Sequence, residues 1–502
     1  MTVTAVLAET TSLPGSGWWS GEQVQNVGTT NADIYITAYD SQSSSTYETS
    51  KNLNRGVSWT FLPWDIGLPG SFQGSALLTS ASDLRAIVNL TVKYNAGRQV
   101  GDPSSPSPAT GQYQGFLFPS GPVSPLYFPL VKNNHFSKTT NFAIQNAGGS
   151  AATALATFTM PSSCGSGTFS NYTYTTPSIS PNKMVIISPS DAGVPACNGM
   201  VGSLVVTSGQ QMAGTALEFI TGEVHPTVLQ TMRGFIESDK DTTFYAPIIK
   251  NAWFNRNTGI QVQNVSGGTV NITVTYKGNP GAAACANQTY TDTHNGVLNG
   301  NSSTFLSNAA IPANCLAAAE IDAVAVGGSF TPNILAIVNE SYSPTPPGHY
   351  QEATSYNAFP LVNATSIVSI PLFKENSFGK STGISIQNVS SSAANNVVAK
   401  FIGPTGTYIT NAQHIDGNGN LVLLNVRNQP GSFWNGTALT PAALGCAVPD
   451  NSTGCGGNGI FGVIITSDQP IVAIANESST VYFLQDKNNY EGFNLLTDPT
   501  AP

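Results

Sequence analysis

Short stretches of alternating apolar and polar residues run along the whole chain. In 270–276 every second residue is apolar, and Asn271 points to the opposite face if the segment is extended. A period of two predicts half-buried β-strands, and the Gly, Ser and Asn clusters between such stretches predict turns. The pattern therefore indicates an all-β protein.

The same pattern returns four times at nearly constant spacing. A strand that closes with Gln-Asn ends at Asn26, Asn146, Asn264 and Asn388, which lie 120, 118 and 124 residues apart. A further pair of apolar strands stands late in each copy. Recurrence at this length predicts four copies of one domain. Each copy has room for about seven strands, the size of an immunoglobulin-like β-sandwich.

An aromatic element separates the copies and ends at Phe116, Phe235, Phe359 and Phe493. In three cases a strand with Pro, and Lys three residues later, begins soon afterwards. We interpret the element as an apolar linker of uniform length and align Arg233 with the tyrosines of the other copies. Apolar linkers predict a semi-rigid rod rather than a flexible string. The predicted domains are residues 1–112, 113–232, 233–355 and 356–502.

Size and charge narrow the class of protein. A chain of 502 residues exceeds what one hydrophobic core usually serves. Its net charge of −9 comes without a Lys/Arg cluster, so no nucleic-acid partner is expected. No apolar stretch has the roughly 18 to 20 residues that cross a bilayer, and residues 1–8 are too short for a signal peptide. We expect no membrane span.

Six cysteines fall into three couples that are far apart in the sequence. Pairing neighbours gives Cys164 with Cys197, Cys285 with Cys315, and Cys446 with Cys455. Metal binding is the alternative, but the chain lacks C-x-x-C and its five histidines are dispersed. We expect disulfides, no metal and no cofactor. Disulfides indicate an extracellular or cell-surface location.

Twelve N-x-S/T sequons agree with that location. Asn264 and Asn388 are sequons, yet Asn26 and Asn146 hold the same place without a following Ser or Thr. We therefore expect this position to close a turn through its amide. The glycosylation candidates are Asn171, Asn271, Asn287, Asn301, Asn435 and Asn451.

No catalytic motif stands out. H-E-x-x-H, G-x-S-x-G and the phosphate loop are absent from the sequence. The recognisable residues recur in every copy. Repetition of this kind is expected of residues that pack each domain, whereas the residues of an active site would occur once. The protein is predicted not to be an enzyme, and a glycan-active enzyme, which needs only two suitably placed carboxylates, is the third choice.

Three local features have a functional and a structural interpretation. Residues 416–420 alternate oxygen-bearing side chains like a calcium loop, but a turn is favoured because the glycine and distal Glu of an EF-hand are missing. Trp18 and Trp19 are candidates for stacking on sugars, or they cap the first hairpin. The charged run 237–241 is expected to be a solvated linker.

The motifs Gln-Asn-Val, 466–477 and Tyr-Glu-Gly-Phe at 490–493 resemble the tandem repeats of secreted surface proteins of filamentous bacteria of the Chloroflexota type. The resemblance covers nearly the whole chain and implies a structural role without catalytic residues. We therefore expect a structural extracellular protein, a filament or sheath subunit. A surface adhesin or carbohydrate-binding protein is the alternative, with surface glycans as partners.

Head-to-tail polymerisation of identical copies is the predicted assembly. The last linker has no domain after it, and the segment 2–8 stands where other copies have their Pro strand. That segment is expected either to fold back as the first strand of its own domain or to add to a neighbouring subunit. The predicted subunit-interface residues are Val3, Ala5, Leu7, Tyr490, Phe493, Leu495 and Leu496.

Overall fold

A computed structural model gives the fold of this chain. It describes residues 13, 17–92, 109–117, 125–165, 167–223, 227–297, 306–307, 309–342, 353–446, 454–478 and 488–501, and the backbone of 2–8, 302–305 and 479. These residues form antiparallel strands with very little helix. The all-β class predicted from the alternation is confirmed.

The strands fall into four successive groups, called units 1 to 4 here. Unit 1 contains β1 (Thr2–Ala8), β2 (Trp18–Asn26), β3 (Ala32–Asp40), β4 (Thr46–Leu53), β5 (Ser58–Phe61), α1 (Pro63–Ile66), β6 (Gln73–Ser80), β7 (Leu84–Val92), β8 (Thr110–Gln114) and β9 (Phe116–Leu117). Unit 2 contains β10 (Leu126–His135), β11 (Lys138–Asn146), β12 (Ala154–Pro161), β13 (Phe169–Thr175), β14 (Met184–Ile187), β15 (Val201–Ser208), β16 (Met212–Ile220) and β17 (Leu229–Arg233).

Unit 3 contains β18 (Thr243–Asn251), β19 (Arg256–Asn264), β20 (Val270–Gly278), β21 (Thr289–Val297), β22 (Ser302–Ser307), β23 (Cys315–Ala325), β24 (Ile334–Tyr342), β25 (Ala353–Asn357) and β26 (Phe359–Pro360). Unit 4 contains β27 (Thr365–Lys374), β28 (Lys380–Asn388), β29 (Ala394–Gly403), β30 (Gly406–Ile409), β31 (Gln413–Ile415), β32 (Asn420–Leu423), β33 (Ile460–Ser479), β34 (Asn488–Glu491) and β35 (Phe493–Leu495). Short 3-10 helices cover Pro189–Ala192, Glu237–Asp239, Leu361–Asn363, Val426–Asn428, Gly431–Phe433 and Gly456–Gly459.

One strand order recurs in the units. In unit 1 the sheets run β4-β3-β6-β1-β9 and β5-β2-β7-β8, and unit 3 repeats this order strand for strand. Unit 2 matches it, with a bridge from Tyr127 to Phe235 in place of a ninth strand. In unit 4 the long β33 passes through both sheets. An immunoglobulin order places the first strand beside the second, whereas β1 lies beside β6 and β9.

The two sheets of a unit share one core. In unit 1, Val24 and Val88 from one sheet and Ile36 and Leu78 from the other belong to the same buried cluster. Burial follows the predicted alternation. In β20 the apolar positions are buried and Asn271 is half-exposed. The alternation therefore orients the strands correctly.

A bulge interrupts the first strand of units 2, 3 and 4 at its proline. Register shifts occur around Pro129, Pro247 and Pro371, where the missing N–H costs no ladder hydrogen bond. Two of the proline carbonyls bind the next unit. Pro247 accepts from Ser385 Oγ at 2.9 Å, and Pro371 accepts from Gln23 Nε2 at 3.1 Å. The junctions between units 3 and 4 and between units 4 and 1 therefore use the same surfaces.

The last long strands of the four units, β8, β17, β25 and β34, contact one another in a closed cycle. The cycle closes between the two ends of the chain, where Gln114 Nε2 donates to the Glu491 carbonyl at 2.9 Å and Asn488 Nδ2 donates to Thr110 Oγ1 at 2.9 Å. The four units thus form a ring. The predicted semi-rigid rod is wrong, because the apolar segments taken for linkers pack around a common axis.

Those segments are the final strands of the preceding units. β8 pairs with β7 and β9 pairs with β1, and β35 pairs with β27 in the same way. The units therefore end later than predicted, because the aromatic element completes its own sandwich. Met232, not Arg233, takes the register position of the tyrosines, since it pairs with Ala216 as Tyr356 pairs with Val338.

Three disulfide bonds join the couples predicted from the sequence. Cys164–Cys197, Cys285–Cys315 and Cys446–Cys455 have Cα–Cα distances of 6.0, 5.6 and 4.8 Å. Each bond closes a loop within one unit. Within the described ranges, no helix has the length and apolar character to cross a membrane.

Candidate binding surface

A hairpin with an exposed phenylalanine joins the first two strands of units 2, 3 and 4. Phe136, Phe254 and Phe378 are 72, 72 and 54% exposed. Their φ angles of 48°, 48° and 51° lie in the left-handed region, which is strained for a bulky residue. Strained positions concentrate at binding and active sites. One costly conformation kept in three units therefore marks these tips as candidates for function.

The ring places the three tips on one face. Equivalent strands meet at the junctions of units 3 with 4 and 4 with 1, so successive units keep one orientation around the axis. Rotation about an axis leaves equivalent points at the same height. We call the face that carries Phe136, Phe254 and Phe378 the tip face.

Buried ion clusters hold the base of each of these hairpins. A carboxylate on the seventh strand binds two cations that flank the tip. Glu218 lies 2.9 Å from Lys132 and 3.6 Å from Lys138; Glu340 lies 2.7 Å from Lys250 and 3.4 Å from Arg256; Glu477 lies 2.7 Å from Lys374 and 3.2 Å from Lys380. Burial alone would raise the pKa of Glu477, but the two lysines outweigh it and lower that pKa to about 2.

Unit 1 replaces the ion cluster with apolar residues. By strand register, Leu90 stands at the position of the carboxylate and Trp18 at the position of the second cation, and both are 1% exposed. Buried ion clusters and apolar sets of similar volume can substitute for each other. The recurring carboxylates are therefore structural anchors, and Trp18 is a core residue.

Glu22 is a buried carboxyl group in the core of unit 1. It pairs with Val88, in the register position that Phe142, Ile260 and Ile384 hold elsewhere. Burial raises the pKa of Glu22 to about 8, against a smaller opposing effect of Ser20. The group is therefore a neutral acid below that pH.

Clefts open where one unit's hairpin tip meets the second strand of the next unit. The cleft between units 4 and 1, called the aromatic cleft here, has a volume of about 440 Å³ and is lined by Trp19, Trp64 and Phe378 among others. The cleft between units 2 and 3 has about 770 Å³ and combines Phe136 with Asn257 and Asn339. Both volumes lie in the usual range of small-molecule sites.

The ring axis is polar. Gln112, Thr231, Ser355 and Asn489 share one register position on the four last strands and are buried. Thr231 Oγ1 donates to the Gln112 carbonyl at 2.6 Å, and Ser355 Oγ donates to the Thr231 carbonyl at 3.2 Å. At one end, a cavity of about 340 Å³ contains Arg85, Arg233 and Glu491.

The repeated asparagine closes a turn in every unit. Asn264 Nδ2 donates to the Gly268 carbonyl at 2.9 Å, and its Oδ1 accepts from Ser266 N at 2.9 Å. Asn26, Asn146 and Asn388 make the matching bonds, and all four are buried. The two sequons at this position are structural.

Among the glycosylation candidates, Asn171, Asn287 and Asn435 are exposed. Asn271 is half-exposed and its Oδ1 accepts from Gly296 N at 2.9 Å. Asn301 and Asn451 lie outside the described residues. Occupancy of these sites stays a prediction.

The calcium candidate is a turn. Asn420 is buried between units 3 and 4, where it donates to the Pro247 carbonyl at 3.1 Å and accepts from Asn279 at 2.9 Å. Asp416 binds His414 at 3.0 Å. Over the ranges that the structure describes, no group of three or more His, Cys, Asp and Glu residues could hold a metal ion.

The charged run 237–241 is solvated only in part, since Glu237 and Ser238 are exposed whereas other residues of the run are packed. Asp239 is buried, bound to Arg233 at 3.0 Å, and Glu237 accepts from Tyr127 at 2.8 Å. Asp241 accepts from Val362 N at 2.8 Å, in the short 3-10 helix that precedes unit 4. These carboxylates have hydrogen-bond and ion-pair partners and stabilise the contact between neighbouring segments.

The predicted interface residues belong largely to unit cores and sheets. Tyr490, Phe493 and Leu495 are buried, because β34 and β35 complete unit 4, whereas Leu496 is 91% exposed. Val3, Ala5 and Leu7 lie on β1, which pairs along its length with β6 of the same unit. Of the two options for this segment, the structure shows the fold-back; the unpartnered tail assumed for polymerisation is wrong.

The tips and Trp64 were not predicted from the sequence. Lys-x-x-x-Phe-x-Lys/Arg recurs in three copies, at 132–138, 250–256 and 374–380, so a comparison of the copies contained the signal for the tips. Trp64 carries no such signal, because it occurs in one unit only and meets Trp19 through the fold, with ring centroids 6.2 Å apart.

Comparisons with known proteins give little guidance. No family model and no curated protein matches the chain. A crystal structure of Thermotoga maritima 1070 is 22% identical over 24% of this chain and 97% of its own, with a TM-score of 0.19. A tetra-tandem repeat from the extending region of a large adhesion protein is 11% identical over 99% of both chains, with a TM-score of 0.10. Scores this low say nothing about function.

The structural role of an ion cluster can be tested by replacing its residues with the apolar residues that unit 1 has at the same positions. Glu340→Leu alone leaves Lys250 and Arg256 without their carboxylate and is expected to destabilise the protein by about 3 to 5 kcal/mol. The triple variant Glu340→Leu, Lys250→Ala, Arg256→Trp takes the leucine and tryptophan of unit 1 and removes the remaining cation, and it should recover most of that loss in chemical denaturation. A single variant as stable as the parent would refute the role.

Glu22 should make the protein less stable as the pH rises. Between pH 4.5 and about 8 the folded state keeps a proton that the unfolded state has released, so the stability contributed by protonated Glu22 declines over this window. Relative to Glu22→Gln, the free energy of unfolding of the parent should fall by on the order of 4 kcal/mol between pH 5 and pH 8. Denaturation midpoints of the parent and of Glu22→Gln at several pH values measure this difference. Parallel pH profiles of the two proteins would contradict it.

Proposed function

We propose that the chain is a non-enzymatic, extracellular surface protein of the adhesive type. Four β-sandwich repeats form a rigid ring that presents aromatic tips and clefts on one face. The observation that carries the proposal is the set of three equivalent phenylalanines, 54 to 72% exposed and held in a strained conformation. Exposure of an aromatic ring to water costs free energy. The exposure of the same ring in three units therefore indicates a binding surface.

Location outside the cell is supported by two features. Three disulfides are compatible with an oxidising compartment. The exposed sequon residues Asn171, Asn287 and Asn435 are compatible with glycosylation there. The resemblance to repeats of Chloroflexota-type surface proteins agrees with this location and is part of the proposal.

The filament or sheath subunit is the less favoured candidate. Unit 4 already docks on unit 1 of the same chain, through Gln114, Asn488 and Gln23. A heterologous contact that closes does not also propagate a fibre. The three recurring carboxylates are each bound to two cations, which speaks against a glycan-active enzyme built on them.

Adhesion can be measured with the intact chain. We expect the protein to bind immobilised polysaccharide or bacterial cells as a single 52.3 kDa species in sedimentation velocity. The variant Phe136→Ser, Phe254→Ser, Phe378→Ser should bind at least tenfold more weakly. Because the tips are solvent-exposed, its melting temperature should stay unchanged.

The matched control places the same change elsewhere. Tyr35, Leu155 and Val324 are also exposed, on β3, β12 and β23, and their triple Ser variant should bind like the parent. Regular polymers of the parent, without adhesion to any surface, would favour the filament subunit and contradict the proposal.

A further inference from the structure

We propose that the aromatic cleft between units 4 and 1 binds a pyranose glycan. This inference rests on the proposed adhesive function and names its ligand class. It concerns Trp19 and Trp64 from unit 1 and Phe378 from unit 4, which line one cleft of about 440 Å³.

The two indole rings form a sidewall for a flat apolar ligand. Their centroids are 6.2 Å apart with an interplanar angle of 35°, and Trp64 is 61% exposed. The C–H groups of a pyranose face carry partial positive charge, and the face of an indole ring carries partial negative charge. A sugar ring stacked on tryptophan therefore places its C–H groups against the negative face of the indole, which is a favourable electrostatic contact.

Polar groups stand beside the aromatic wall. Asn488 is 1% exposed and lines the cleft. Its Nδ2 donates to Thr110, while its Oδ1 has no hydrogen-bond partner in the part of the chain that the structure describes. A buried acceptor without a partner costs free energy, and a sugar hydroxyl is a suitable donor. Thr91, on the same cleft, adds a hydroxyl that can both donate and accept.

The charges of the cleft favour a neutral ligand. Lys374 and Lys380 are both bound to Glu477, at 2.7 and 3.2 Å. A strongly anionic ligand would have to compete with that carboxylate for the lysines. A neutral sugar needs hydrogen bonds and stacking only, and both are available.

The junction between units 4 and 1 differs from the other junctions at the two tryptophan positions. Asn257 holds the position of Trp19 in the cleft between units 2 and 3. Ser190 holds the position of Trp64 in unit 2, one residue after the proline that begins the short helix. The hairpin phenylalanine recurs, whereas the tryptophan pair does not, so specificity for a sugar is assigned to this one cleft.

The test uses the full chain and three neutral probes: cellohexaose, chitohexaose and xylohexaose. Titration calorimetry with the parent should show saturable binding of at least one probe, with quenching of tryptophan fluorescence. Trp64→Ala should weaken that binding at least tenfold. The exposure of Trp64 predicts an unchanged melting temperature for this variant.

Two controls keep the readout specific. Trp59→Ala removes another exposed tryptophan that does not line the cleft, and Tyr35→Ala removes an exposed tyrosine on β3; both should bind like the parent. Equal binding by Trp64→Ala and Trp59→Ala would overturn the inference.

The two proposals can fail separately. If the parent adheres to surfaces but binds none of the three probes, the glycan inference is wrong and the adhesive function stands. If the parent neither adheres nor binds a probe, both are wrong.

Discussion

The contact on which this structure depends is the cycle of the four last strands around one axis. Each strand completes a sheet of its own unit and packs against the next unit. Gln112, Thr231, Ser355 and Asn489 are buried there at one register position. Small and amide side chains suit this place, because they let four backbones approach and offer partners to polar atoms that water does not reach. Gly111 shows how tight the approach is, since a Cβ at this position would collide with Thr231.

Ring closure explains which residues recur and which diverge. Pro247 and Pro371 recur because units 3 and 4 each offer the same bulge carbonyl to the next unit. The ion clusters recur in three units because they fix the hairpins beside the junctions. Unit 1 holds Trp18 and Leu90 instead, which shows that the requirement is a filled position and not a charge. Once packing is satisfied, a unit is free to change its cleft, as Trp19 and Trp64 illustrate.

Local features of the fold were predictable from the sequence, whereas the arrangement of the units was not. Alternation in β20, the turn amide of Asn264 and the three cysteine couples depend on neighbours in the chain and were predicted correctly. The ring depends on contacts such as Gln114 with Glu491, 377 residues apart. The sequence of an apolar segment such as 490–493 does not distinguish a linker between two domains from a strand that completes a sheet. Trp19 was a candidate from the sequence, but the aromatic cleft as a whole was not predictable, because Trp64 and Phe378 line one cleft only when the ring closes.

A disulfide across the closing junction measures ring closure most directly. A Cβ at position 462 in unit 4 would contact the Ser58 hydroxyl in unit 1. In the double variant Ser58→Cys, Gly462→Cys, mild oxidation should therefore give a monomer with an internal crosslink that migrates faster on a non-reducing gel, and Ser58→Cys alone should not. A ladder of disulfide-linked multimers would show that unit 4 docks on unit 1 of another copy, and absence of any crosslink would show that the two units do not meet; either result would contradict the ring.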